Sequence, residues 1–194
     1  MEKLMQEFYA RDTLTVAREL LGNYLVREYE GERLICRITE TEAYIGRCDK
    51  ACHAYGYKRT ARTETLFAPP GTIYIYLIYG MYHCLNFVTE DVGEPAAVLI
   101  RGLEPISGIE TITRLRYPNH CGPLNAYQTK NLLNGPGKLC KALSLDKSCN
   151  SMSLTGDTLY VVRSGESPGA IHTSARIGID YAEEAVHFPW RFYI

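Results

Sequence analysis

The segment Ile38-Thr-Glu-Thr-Glu-Ala-Tyr44 carries two carboxylates and a phenol at a spacing of two. On a β-strand successive side chains alternate between faces, so Glu40, Glu42 and Tyr44 fall on one face, with Ile38 beside them. A rise near 3.3 Å per residue separates the two carboxylates by roughly 7 Å along the strand. That suits a general-base carboxylate with a structural neighbour, or an acid and base pair of the kind that cleaves glycosidic bonds. An exposed sheet face with ordinary glutamates accounts for the pattern equally well.

A second group of candidates lies in Thr72-Ile-Tyr-Ile-Tyr-Leu-Ile-Tyr-Gly-Met-Tyr-His-Cys-Leu-Asn-Phe-Val88. Tyr74 and Tyr76 alternate with Ile73, Ile75 and Leu77, and a hairpin turning near Gly80 is expected. Tyrosine stacks well on flat heterocycles, and a tip carrying Tyr79-Gly80-Met81 is suited to entering a base stack. Ordinary cross-strand packing is the commoner fate of such a pattern.

Cys48, Cys52 and His53 have a spacing that hints at metal, but a zinc site needs about four ligands with a second clustered pair. Cys36, Cys84, Cys121, Cys140 and Cys149 stand singly, and no metal site is expected. Gly135-Pro-Gly-Lys138 lacks the spacing of a phosphate-binding loop, and no G-x-G-x-x-G occurs, which excludes nucleotide-dependent chemistry of those types.

The elements that must position these residues are legible in outline. Asp12 or Thr13 is placed to cap a helix through about Leu21, because Val16, Ala17, Leu20 and Leu21 recur at helical spacing. Tyr24–Glu30 and Arg33–Tyr44 read as antiparallel strands around Gly31, and a polar loop from Gly46 to Glu64 follows. Beyond the tyrosine hairpin, Ala96–Arg101 is a short apolar strand. Ser107 with Glu110 has the form of a capping box opening a helix to about Arg116. A long surface loop is expected over 117–134, then a short helix introduced by Gly135-Pro136-Gly137. Strand-like Thr158–Arg163, the segment Arg176-Ile-Gly-Ile-Asp180 and the aromatic run Phe188–Ile194 complete an α+β chain around a mainly antiparallel sheet.

The 194 residues, 46% of them hydrophobic, suit one domain with a sizeable core. No stretch is apolar enough to span a bilayer, and the first ten residues have neither a signal-peptide nor a transit pattern. Seven cysteines, an odd count, favour reduced thiols and a cytoplasmic location. A net charge of −1 gives no global attraction to nucleic acid, so phosphate contacts would need a local basic face. Lys58, Arg59 and Arg62, or Lys138, Lys141 and Lys147, are the candidates.

Several motifs now stand in one order: Glu40-Thr-Glu-Ala-Tyr44, His53, Pro70-Gly-Thr-Ile-Tyr-Ile-Tyr-Leu-Ile-Tyr-Gly-Met-Tyr82, Asn86, Val98-Leu-Ile-Arg101, Leu103-Glu-Pro105 and Gly135-Pro-Gly-Lys-Leu-Cys140. Together they resemble the alkyladenine (3-methyladenine) DNA glycosylase family, from the first helix to the Arg-Phe-Tyr-Ile end. The resemblance implies a single compact α+β domain with a curved, mainly antiparallel sheet, flanking helices and a protruding β-hairpin that inserts into DNA. It implies a monofunctional glycosylase that flips a damaged purine from the duplex and hydrolyses its N-glycosidic bond.

In that reading Glu42 is the general base that activates water, and Arg101 holds the water and the carboxylate. Tyr44, His53 and Tyr76 wall the flipped-base pocket, while Asn86 crowds the exocyclic amino group of guanine. Tyr79 is the wedge that fills the gap left in the duplex, with Met81 and Tyr82 beside it against the DNA. No lysine lies on the carboxylate strand, which speaks against a Schiff-base lyase step. No cofactor or metal is implied, the expected partner is damaged double-stranded DNA, and a monomer without an obligatory protein partner or membrane association is expected. Two rivals remain on the residues alone. One is a hydrolase of free nucleosides or small glycosides using Glu40 and Glu42. The other is a non-catalytic module binding single-stranded nucleic acid on Tyr74, Tyr76 and Tyr82.

Overall fold

The structure, a computed structural model, describes residues 2–194. A one-turn helix α1 (Gln6–Tyr9) precedes α2 (Thr13–Leu20), which opens where Asp12 accepts a hydrogen bond from the Thr15 N–H at 2.9 Å. The buried stripe of α2 is Thr13, Val16, Ala17 and Leu20. Strands β1 (Tyr24–Tyr29) and β2 (Glu32–Ile45) follow, joined through Glu30 and Gly31. The hairpin β3 (Ile73–Ile78) and β4 (Tyr82–Val88) comes next, then the long strand β5 (Ala96–Ser107). Helices α3 (Ile109–Arg116), α4 (Ala126–Lys130) and α5 (Pro136–Ala142) lead to β6 (Leu159–Val162), β7 (His172–Ser174) and β8 (Arg191–Tyr193).

All strand pairings are antiparallel. The main sheet runs β3-β4-β5-β2-β1-β6, with β7 and β8 attached through β2. The two central strands carry the candidate residues: β2 pairs with β5 over most of its length, and with β8 at Glu40 to Glu42. The α+β class, the antiparallel sheet and the tyrosine hairpin are as the sequence predicts.

The central pair also corrects the simple alternation. Leu34, Cys36 and Ile38 enter the main core, but beyond them Thr41 and Ala43 are the wholly buried inward residues. Two adjacent irregularities produce the change of phase. Ile38 opposes Leu103 and Glu40 opposes Gly102, leaving Thr39 extra on β2; Thr41 opposes Ile100, leaving Arg101 extra on β5. An extra residue bends its strand and re-aims the side chains that follow. Ile38 therefore belongs with the core, opposite to Glu42 and Tyr44. The strands approach so closely here that a Cβ on Gly102 would sit 2.9 Å from the Cβ of Glu40.

Three other expectations are revised. Ser107 is the last residue of β5 rather than a helix cap, and α3 starts after left-handed Gly108 without a side-chain cap. The β5 strand extends six residues past Arg101. The loop over 117–134 contains α4, whose capping box is formed by Asn125 and Gln128. The core beneath the sheet unites α2, β2, β5 and α5 through Leu20, Ile38, Ile100 and Leu139 among others, each such buried aliphatic side chain contributing about 1.5–3 kcal/mol. The tip of the β3–β4 hairpin lies outside that packing, with Leu77, Tyr79, Met81 and Tyr82 all exposed.

Candidate active site

A cavity of about 380 Å³ opens between the far side of β2 and β5, the β3–β4 hairpin and two loops. Glu42 and Tyr44 reach it from β2, Arg101 and Leu99 from β5, Tyr76, Tyr74 and Asn86 from the hairpin. His53 enters from the loop after β2, and Ile177 to Ile179 with Tyr181 form another wall. Its volume lies in the range of small-molecule sites, which run from about 300 to 1,000 Å³.

Glu42 has no solvent-accessible surface. Its Oε2 accepts from the Tyr44 hydroxyl at 2.7 Å and its Oε1 from the backbone N–H of Ile177 at 3.0 Å. The Nε of Arg101 is 3.6 Å from the same Oε1 and 3.0 Å from Oε1 of Glu40. Burial drives the Glu42 carboxyl above the ordinary carboxylate range, opposed by Arg101, Tyr44 and the Ile177 amide. Burial outweighs the three stabilising contacts, so the group is a stronger base than a solvated glutamate and still has partners for its charge. Glu40 differs: it stands between Arg101 and Arg191, lines a separate groove with Thr39 and Gly102, and does not line the cavity.

The aromatic walls touch one another. His53 Nδ1 lies 3.1 Å from the Tyr74 hydroxyl, and its ring meets Tyr76 edge-on at 4.5 Å between centroids. Tyr74 and Tyr76 are 5.4 Å apart, both on the cavity face of β3 as the period of two requires. Burial and the charge of Arg62 lower the His53 pKa to about 4, which keeps the imidazole neutral at physiological pH. Asn86, on β4 opposite Tyr74, donates from Nδ2 to the carbonyls of Tyr74 (3.1 Å) and Cys84 (3.2 Å), so its side chain is fixed in the cavity wall.

At the hairpin tip Tyr79 and Gly80 have φ values of 52° and 69°, and the Met81 N–H donates to the Ile78 carbonyl. Two positive φ values in succession are the mark of a type I′ turn, in which glycine fits and tyrosine is strained. Tyr79 lines the cavity mouth yet is 78% exposed; Met81 and Tyr82 are 67% and 48% exposed. Met81, Tyr82 and His83 border a neighbouring groove with Gly137, Lys141 and Asp146.

The candidate cations are distributed unevenly. Arg62 lies over the Tyr76 ring, whereas Arg59 is paired with Glu64 and Lys138 is bonded to Asn131. In the segment Glu90-Asp-Val-Gly-Glu94, Glu90 accepts from Arg47 and Thr13, and Glu94 from the Tyr57 hydroxyl.

The structure thus brings Glu42, Arg101, Tyr44, His53, Tyr76, Asn86 and Tyr79 to one cavity, with Met81 and Tyr82 beside its mouth. Sequence reasoning missed the contribution of the 176–181 segment, including the Ile177 amide, and the buried pair formed by Arg176 and Asp49. Local pattern holds no signal for a backbone donor 135 residues from its acceptor. Tyr55, in the loop after β2, is exposed and does not line the cavity.

Comparison with known proteins shows the family. Residues 7–194 match the family model described as Methylpurine-DNA glycosylase (MPG). A protein of Clostridium perfringens (strain SM101 / Type A) is 54% identical over 195 residues, 99% of this chain and 95% of that protein. One of Desulfitobacterium hafniense (strain Y51) is 52% identical over 194 residues, covering 100% and 96% of the two chains. One of Bacillus cereus (strain ATCC 10987 / NRS 248) is 52% identical over 191 residues, covering 96% and 92%. All three carry the name "Putative 3-methyladenine DNA glycosylase". With its α+β fold, its aromatic cavity around a buried glutamate and a family match over nearly its whole length, the chain belongs to the methylpurine-DNA glycosylase family.

Proposed function

We propose that this glycosylase excises alkylated or deaminated purines from duplex DNA, the class that includes 3-methyladenine, 7-methylguanine, hypoxanthine and ethenoadenine, by direct hydrolysis that leaves an abasic site. The observation that carries the reading is Glu42, a carboxylate with no solvent exposure, on the wall of an aromatic cavity, contacted by Tyr44, Ile177 and Arg101.

A flipped nucleotide places its purine among Tyr44, His53 and Tyr76, where flat faces and a neutral imidazole meet the base. Glu42 takes a proton from water as the water oxygen bonds to the anomeric carbon. The C1′–N bond breaks, and its electron pair leaves with the purine. The sugar carries positive charge in the transition state, which the buried carboxylate stabilises at short range. Purines alkylated at N3 or N7 carry a positive charge and leave as neutral bases without an acid, whereas hypoxanthine and ethenoadenine take up, through solvent, the proton that Glu42 has removed from water. Arg101 holds the carboxylate and its water. Asn86, its amide donors spent on two backbone carbonyls, presents a fixed obstacle to the exocyclic amino group of guanine. Tyr79 fills the gap in the stack, flanked by Met81 and Tyr82 on the DNA.

The test is single-turnover release of purine from a duplex carrying one hypoxanthine or ethenoadenine, wild type beside Glu42→Gln, without added metal. Release by wild type alone, leaving an alkali-labile abasic site, is expected. Equal binding by both proteins with no release from any lesion in the class would refute the catalytic reading in favour of a binding module.

A further inference from the structure

Arg176 and Asp49 form an ion pair whose side chains are both wholly buried, with Nη1 2.5 Å from Oδ2 and Nη2 2.8 Å from Oδ1. The same guanidinium donates to the carbonyls of Ala43 (2.8 Å) and Ala185 (3.2 Å). Its Cζ lies 4.7 Å from the ring centroid of Tyr44 and 5.2 Å from that of Trp190. Asp49 in turn accepts from the Ala51 N–H at 2.9 Å. These contacts surround Glu42 without touching it. Ala43 and Tyr44 are its chain neighbours on β2, and Ile177, next to Arg176, supplies the amide that Glu42 accepts.

A buried ion pair adds little net stability over a well-packed apolar pair, because desolvation opposes the attraction. What the bidentate geometry does supply is orientation: a planar fork fixed on one carboxylate leaves little rotational freedom. Here the fork ties the strand bearing Glu42 to the segment bearing the Ile177 amide and underlies the Tyr44 ring.

We propose that the Arg176–Asp49 pair is a positioning device for Glu42, holding the Ile177 N–H and the Tyr44 hydroxyl on its two oxygens. The inference rests on the reading of Glu42 as the general base. The charged and titratable groups that face Glu42 are Arg101 from β5, Glu40 and Tyr44 from β2, Cys84 from β4 and Arg176 from the 175–180 segment. Arg176→Lys keeps the positive charge and removes the fork, which separates position from charge.

The experiment measures the single-turnover rate constant at saturating enzyme as a function of pH, with duplex affinity and melting temperature, for wild type, Glu42→Gln, Arg176→Lys and Asp49→Asn. Assays are run below the melting transition of every variant. Arg176→Lys is expected to lose about 100-fold in rate constant, the scale of a small misplacement of a reacting group. Its affinity for lesion duplex should be unchanged. The acid limb of its profile should move to higher pH, because a carboxylate that loses an N–H donor holds its proton more tightly. A lower melting temperature with wild-type rate constant and acid limb would overturn the proposal and leave the pair a structural one. Should Arg176→Lys not fold, Asp49→Asn is read by the same criteria. Release by wild type and none by Glu42→Gln isolates this inference, whereas no release by wild type overturns both it and the reading beneath it.

Discussion

The Tyr44 hydroxyl donates to Oε2 of Glu42 at 2.7 Å although the two residues stand only two apart on one strand. Alternation places them on the same face, and the phenol turns back along that face to meet the carboxylate. One side chain thus serves as a wall of the cavity and as a partner for the charge beside it.

Tyr44→Phe separates those roles. It keeps the ring over Arg176 and removes a charge-assisted hydrogen bond, a class worth about 1.5–3 kcal/mol, so the single-turnover rate constant should fall about 10-fold or more. Because that bond favours the ionised form of Glu42, its loss should move the acid limb of the rate profile upward. Rate against pH for wild type and Tyr44→Phe checks both effects.

Glu42→Gln should retain duplex binding and lose release, by at least the roughly 10²–10⁴-fold that general-base catalysis contributes. Its effect on stability has a definite sign. The folded-state pKa of Glu42 is raised, so the folded protein binds this proton more tightly than the unfolded chain does. The ionised group therefore disfavours the folded state, and increasingly so as pH rises above its unfolded value. Thermal melts should show Glu42→Gln at least as stable as wild type at pH 7, with the difference shrinking as pH falls toward the ordinary carboxylate range.

His53 should titrate near 4 by NMR, below the ordinary imidazole value, because burial and Arg62 both oppose its charged form. The unfolded chain then binds a proton that the folded protein refuses between about pH 6.5 and 4, so this residue reduces stability as pH falls through that window. His53→Gln should flatten the corresponding part of the stability profile. A normal titration midpoint in the folded protein would contradict the buried, neutral ring.

Tyr79→Asn tests the strained turn. Asparagine tolerates positive φ where tyrosine carries a strain of order 1–3 kcal/mol, so the melting temperature should hold or rise. Release from a matched duplex should fall, and release from a lesion already in a mismatch bubble should fall less, because the base there costs less to unstack. Loss of activity to the same extent on both substrates would argue against a wedge.

Much of this molecule is written in short-range pattern. The Asp12 cap, the strands on either side of Gly31 and the turn at Gly80 follow from residue type and periodicity, each depending on neighbours a few positions away. The pairing of Tyr74 and Tyr76 on one face follows from the period of two, and the ordered motifs pointed to the family and to the residues that line the cavity. Where local pattern failed, a long-range contact decided. Thr39 and Arg101 are extra residues only because β2 and β5 pair in one register, and that register turns Ile38 into the core and brings Arg101 to two carboxylates. The Ile177 amide on Glu42 and the Arg176–Asp49 pair join segments more than 120 residues apart. Alternation along a strand states which side chains share a face, but packing against distant segments selects where the alternation breaks and which backbone donor reaches a buried charge.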